Sequence, residues 1–402
     1  MSKSAISRLT ASLPGRIAIA IILGILAGIT LPASWADAAA TFNGLMGQLL
    51  SFMIPLIIIG FVAPAIADVG RSAGRMLVAT ALLAYVATFL AGMMSYGIGR
   101  FTFPTIIDST AATADSAAVS PVQPWFEVSL PAPLAVTTSL ALAFMLGVGC
   151  AVCKAPTLLH GLTELRIIVA KTIDRIIIPL LPPYILCIFL VMTAEGRVAS
   201  ILGTFAGIIG IIFAMHILIL LIQYAIAAII GGGNPLRMLR TMLPAYLTAL
   251  GTQSSAATIP VTLRQTERLG VDPDVAGFTV PLCATIHMSG STLKIVACAM
   301  ALMLMHGQAI PAGQFVHFTA MLGITIIAAP GIPGGAIMAS LGLLESILGF
   351  DAQMQAMMIA LYIAMDSFGT ACNVTGDGAL TLMLTGYAKK HNIQEVKNTD
   401  VL

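Results

Sequence analysis

Ala329-Pro330-Gly331-Ile332-Pro333-Gly334-Gly335 interrupts an otherwise apolar stretch, 313–350, late in the chain. Such a run ends a helix, because proline lacks an N–H and clashes with the preceding turn, and glycine is costly to order. The flanks are apolar enough to enter a bilayer. Irregular backbone at membrane depth survives only when it is buried in protein or lines water. The segment therefore predicts a helical hairpin that enters and returns on one side. Residues 234–265 read the same way, being too polar at Gly251-Thr252-Gln253-Ser254-Ser255 for a plain span. Each hairpin is followed by a long helix, at 272–305 and 354–388, so a hairpin–helix unit occurs twice. Paired interrupted segments in corresponding places point to an inverted-repeat transporter.

The remaining sequence is that of an all-α polytopic membrane protein. Of its 402 residues, 58% are hydrophobic and 9% charged, against ~25% charged in a soluble domain. Apolar stretches at roughly 16–33, 43–68, 74–99, 131–153, 170–194 and 200–231 are each long enough to cross ~30 Å of hydrocarbon. Between the third and fourth, residues 100–131 read as a surface excursion, partly helical. No cleavable signal peptide is evident, since the first stretch is long enough to remain as a span. Six cysteines lie in or beside apolar segments and read as packing residues, Cys150-x-x-Cys153 included. No basic patch is interleaved with aromatics, which argues against nucleic acid as a partner. With both hairpins treated as re-entrant and both termini cytoplasmic, 16 of the 19 Lys and Arg residues fall inside, as the positive-inside rule asks. That places the chain in a cytoplasmic (inner) membrane. Counting the hairpins as double crossings keeps most of these sides, so the polar and Pro-Gly tips carry the argument for re-entry.

The chemistry concentrates in four clusters. Asp366, Thr370, Asn373 and Asp377 stand at i, i+4, i+7 and i+11 and share one helical face. An ionised side chain at that depth costs ~2.5–3.5 kcal/mol and marks an ion or substrate path. The first hairpin tip holds Thr252-Gln253-Ser254-Ser255. The following helix breaks at Thr285-Ile286-His287-Met288-Ser289-Gly290-Ser291-Thr292, and the second tip is Gly331 to Gly335. Hairpin tips present helix N-termini that attract a carboxylate, and unwound backbone presents carbonyls that suit a small cation. Asp366 supplies the charge for an ammonium group. Together these parts meet the needs of an amino-acid symporter.

Thr252-Gln253-Ser254-Ser255 followed by Thr258-Ile259-Pro260-Val261-Thr262 resembles one motif of the dicarboxylate/amino acid:cation symporters, the glutamate-transporter homologues. Thr285 to Ser291, Gly331-Ile332-Pro333-Gly334-Gly335 and Asn373-Val374-Thr375-Gly376-Asp377 resemble three more. The resemblance implies eight transmembrane helices, two re-entrant helical hairpins and a homotrimer in which a transport domain slides, elevator-fashion, against a scaffold. Residues 1–233 would then be six helices, mostly scaffold, 234–390 the transport core, and 391–402 a cytoplasmic tail. It also implies substrate contacts at Ser254, Ser255, Ser291, Ile332, Gly334, Asp366, Thr370 and Asn373. Cation contacts would lie at Thr285, Met288, Asn373 and Asp377, with Na+ or H+ as the co-transported ion and no other cofactor.

The departures from that pattern are informative. Where glutamate and aspartate transporters carry an arginine for the substrate's second carboxylate, this chain has Gly369, so a small neutral amino acid is expected over an acidic one or a C4-dicarboxylate. The Ser254-Ser255-Ala256-Ala257 tip and the Asp366-Ser367 pair look more like the serine/threonine-transporting branch. Ser289 stands where one sodium site has an aspartate, and His287 replaces an amide with an imidazole, a poor ligand for a hard cation. Fewer sodium ions, proton coupling, or exchange with little sodium coupling follow as expectations. An imidazole with an ordinary pKa near ~6.5 suits a proton carrier. Lys294 lies two turns beyond His287, on the same face of a spanning helix by spacing, and three roles are open to it. It snorkels to the interface, makes a structural pair, or places its ammonium where relatives hold a cation. Two other classes compete with the symporter. A channel would need a pore ring that the acids do not form. A hydrolase built on His287 and Ser289 would lack an orienting third group.

Overall fold

The computed structural model describes residues 13–71, 75–107, 122–196, 198–327 and 334–390, and among them every regular element is helical. The first half holds α1 (Leu13–Thr30), α2 (Ala33–Arg71), α3 (Arg75–Thr102) and α4 (Val136–Val152). Next, α5 (Pro156–Thr172) runs through a π turn, Ile173–Ile177, into α6 (Ile178–Ala194), and α7 (Val198–Gly231) follows. Among the described residues, five rods are long and apolar enough to cross a membrane: 33–64, 76–105, 156–194, 205–231 and 273–305. Taken as one span, the bent pair 352–364 and 366–386 makes a sixth. The chain is a polytopic membrane protein.

Two boundaries differ from the expectation, each for a physical reason. The stretch expected at 170–194 is a rod of 39 residues beginning at Pro156. Its first turns carry polar side chains such as the exposed His160–Glu164 pair, 3.4 Å apart, which hide a helix from an apolar scan. The π turn comes just before Pro179, whose ring would otherwise meet the carbonyl of Arg175; a wider turn relieves that contact. Helix α2 starts ten residues earlier than expected and gives its early face to the excursion. Backbone N–H groups of Gln123, Trp125 and Leu130 donate to Asp37 Oδ1, Thr41 Oγ1 and Gln48 Oε1 at 3.0, 2.8 and 3.1 Å. Past a 3-10 turn at Phe103–Thr105, the described part of the excursion, 122–135, is an irregular strap without helix; residues 108–121 lie outside the described residues.

Both hairpin–helix units form. The first is α8 (Pro235–Thr252) and α9 (Ser255–Arg268), which pack on one another. Gln253 turns the chain at φ +55°, and Ser254 Oγ accepts the Ala257 N–H to cap α9. The expected break follows: α10 (Pro273–Ile286) stops and α11 (Ser289–Met305) restarts past His287 and Met288. The second hairpin is α12 (Ala312–Ile327) packed on α13 (Gly335–Leu348), with tip residues 328–333, Ile332 among them, outside the described residues.

The last helix corrects the sequence reading. Residues 354–388 are not one helix but α14 (Ala352–Ala364) and α15 (Asp366–Lys390), bent by 61°. The second unit thus repeats the first down to its broken helix, and Asp366 stands in the first turn of a new helix rather than mid-helix.

Packing sorts the helices into two groups. Helices α1, α2, α4 and α5–α6 pack mainly on one another, whereas α3 and α7 pack on α11 and α15. At the centre of the second group, α11 is buried along almost its whole length.

Candidate functional site

The interruptions converge on one small cavity of about 30 Å³, roughly the space of a water molecule. Gln253 and Ser255 reach it from the first tip, Met288 and Ser291 from the break, and Ala336 from the second hairpin. Tyr362, Asp366, Thr370 and Asn373 line it from the broken last helix.

Asp366 is held from two sides. Its Oδ2 accepts the Gly334 N–H at 2.8 Å, and its Oδ1 lies 3.4 Å from Lys294 Nζ. Gly334, at φ +76°, begins the turn into α13, so the second hairpin is bonded to the carboxylate at its start. Lys294 does not snorkel, because its side chain is 0% exposed. It makes the structural pair that the sequence left open. His287 and Lys294 do not share a helical face, because the helix stops between them. His287 Nδ1 meets Asp377 Oδ1 at 2.9 Å, and Lys294 goes to Asp366 eleven residues away on α15.

Asn373 stitches the break together. Its Oδ1 accepts from the backbone N–H groups of Gly290 and Ser291 at 2.8 and 3.3 Å, while its Nδ2 donates to Ser291 Oγ at 3.0 Å. It also approaches Met288 Sδ at 3.7 Å. The break is braced from outside by α3: Thr88 Oγ1 accepts the Met288 N–H at 3.2 Å, and Ser95 Oγ donates to Leu293 O at 2.8 Å. Close approach needs Gly290, where an added Cβ would sit 2.8 Å from Gly369 O.

The second acid has its own surroundings. Gln223 Nε2 lies 3.4 Å from His287 Nε2 and donates to Ser289 Oγ at 3.2 Å. A neutral imidazole fits all of these, donating from Nδ1 to Asp377 and accepting at Nε2 from Gln223. Asp377 Oδ2 and Gln223 Oε1 are buried without a hydrogen-bond partner among the described residues. Buried acceptors left open in this way suit a small cation or a proton.

The model of the sodium:dicarboxylate symporter family matches residues 13–387, nearly the whole chain. The chain belongs to that family. Among its relatives, the serine/threonine transporter SstT of Streptococcus thermophilus is 27% identical over 401 residues, covering 94% of this chain and 96% of the relative. The serine/threonine transporter SstT of Acinetobacter baumannii is 26% identical, covering 92% and 95%. Human excitatory amino acid transporter 2 is 32% identical over 171 residues, which is 42% of this chain and 29% of that protein.

Within this symporter the expected site residues fall into three sets. Ser255, Met288, Ser291, Asp366, Thr370 and Asn373 line one cavity, and Gly334 is bonded to its acid. His287 and Asp377 form a separate buried pair. Ser254 caps α9 and does not line the cavity, Thr285 is exposed with its hydroxyl on Leu282 O, and Ile332 lies outside the described residues. His287 and Ser289 are each bound to Gln223, not to one another.

Sequence reasoning missed Gln223 and understated Gln253, whose Nε2 donates to Ser367 Oγ at 3.0 Å. A signal for Gln223 existed. Together with His216, seven residues earlier on one face of the most apolar rod, it reaches the break, where His216 Nε2 meets Gly290 O at 3.0 Å.

Proposed function

We propose that this family member carries a small neutral L-amino acid such as serine, threonine or alanine across the cytoplasmic membrane, coupled to Na+ or H+. The observation that carries the reading is Asp366. Its carboxylate lines the cavity, with the Lys294 ammonium on one oxygen and the Gly334 N–H on the other. A substrate ammonium has both charge and lone pairs to meet. Ser255, Ser291 and Thr370 add hydroxyl-bearing side chains to the cavity lining. The names of the relatives that match along their whole length point the same way. Their family is a transporter family, which favours a carrier over an enzyme.

The architecture of that reading is eight spans, two re-entrant hairpins and a homotrimer, with an elevator motion of residues 234–390 against most of 1–233. Support comes from the packing of α1, α2, α4 and α5–α6 as one group, and of α3 and α7 with the hairpin units as another. Coupling is assigned to the Asp377 region, where open buried acceptors lie beside His287.

A second reading, an acidic amino acid or C4-dicarboxylate, is favoured by one feature: Lys294 brings an ammonium beside Gly369. Against it, that ammonium is engaged by Asp366 and does not line the cavity. Uptake of labelled serine into proteoliposomes tests the proposal. Saturable uptake with counterflow is expected; non-saturable flux would indicate a channel, and no serine flux would remove the reading.

A further inference from the structure

Lys294 is the residue that transport chemistry leaves over. It is buried, yet it does not line the cavity. Its ammonium donates to Tyr362 O at 3.2 Å, pairs with Asp366 Oδ1 at 3.4 Å and lies 3.4 Å from the centroid of the Tyr362 ring. The room for it exists because residue 369 is glycine: an added Cβ there would sit 3.0 Å from Nζ and 3.3 Å from Cε. On the other side of the same carboxylate, Oδ2 takes the Gly334 N–H at 2.8 Å. The acid is thus gripped front and back, with its remaining face toward the cavity.

We propose that Lys294 is a positioning residue for amine recognition: a resident counter-group, admitted by Gly369, that holds Asp366 aimed into the empty cavity. The inference rests on the amino-acid reading above and deepens it. A lone carboxylate at this depth would take a proton or a cation before any substrate arrived. With Lys294 behind it, the empty cavity is charge-balanced without a bound ion, and Asp366 meets an incoming amine as an acceptor. Lys294 neither touches the substrate nor leaves when it binds. The other acid on α15, Asp377, has His287 as its partner and does not compete for Lys294.

The test is L-serine binding to the full-length protein in lipid nanodiscs, by calorimetry, for wild type, Lys294→Met, Gly369→Ala and the double variant. Lys294→Met is expected to weaken binding at least about tenfold, as a buried acid loses its counter-charge. Gly369→Ala retains every charge and should weaken binding comparably by pushing Nζ away. The double variant should be no worse than Lys294→Met alone, because the added methyl then has nothing to displace. In Lys294→Ala, which leaves space, ethylammonium should restore serine binding and ethanol should not, a distinction that a packing role would not produce. Lys294→Met binding within twofold of wild type, additive losses in the double variant, rescue by ethanol, or no rescue by ethylammonium would each overturn the inference while leaving the substrate reading intact. Wild type that binds succinate and no neutral amino acid would overturn both.

Discussion

His287 Nδ1 lies 2.9 Å from Asp377 Oδ1, both side chains buried, and the contact ties the gap between α10 and α11 to the middle of α15. His287→Ala would leave Asp377 buried with no side-chain partner on either oxygen among the described residues. The expected cost is ~3–5 kcal/mol, the range for breaking a buried pair. Thermal melts in NaCl and in choline chloride should show a lowered midpoint that sodium partly restores. An unchanged midpoint would mean that the pair contributes nothing to the folded state.

Coupling follows from the same region. Ser289 stands where the family pattern has an aspartate, its hydroxyl engaged by Gln223, and the side-chain oxygen of Asn373 is taken up by two backbone N–H groups. Few hard oxygen ligands remain beyond Asp377. Serine uptake measured under imposed sodium and pH gradients should therefore show a shallow sodium dependence, with a Hill coefficient near one. Steep, multi-ion dependence would contradict this.

A second hairpin that gates the cavity would have to part from the first. Ala336, just past Gly334, and Ser255 on the first tip line the same cavity from opposite hairpins. In a background lacking the native cysteines, cross-linking Ser255→Cys to Ala336→Cys should abolish uptake and leave the melting midpoint unchanged or raised. Full uptake in the cross-linked protein would show that the hairpins need not part.

Asp366→Asn should cost more than binding. The variant leaves Lys294 buried without its counter-charge, so a stability loss of ~3–5 kcal/mol is expected alongside the loss of serine affinity. Lys294→Met added to Asp366→Asn should recover most of the midpoint and none of the binding. Recovered binding would place the substrate amine elsewhere.

The parts of this site that sequence could show were those written in residue types. Proline–glycine runs and hydroxyl-rich tips in apolar flanks marked both hairpins, and the polar run around Met288 marked the first break. The break at Met365 has no proline or glycine beside it, so the sequence there reads as continuous helix. Partnerships were harder than positions. Helical spacing put His287 and Lys294 on one face, but the gap at residues 287–288 resets that phase and sends them to different acids. Gln223 was a single amide in a long apolar helix, and only the fold shows that it bridges His287 and Ser289.

The central claim is that Asp366 receives the amine of a small neutral amino acid, and competition against labelled serine uptake by wild-type proteoliposomes tests it most directly. L-Threonine and L-alanine should compete well. 3-Hydroxypropionate, which is serine without its amine, should be at least about a hundredfold weaker, since a buried polar partner is then left unpaired. Succinate and L-aspartate should also be weak. Succinate or 3-hydroxypropionate competing as well as serine would contradict the claim.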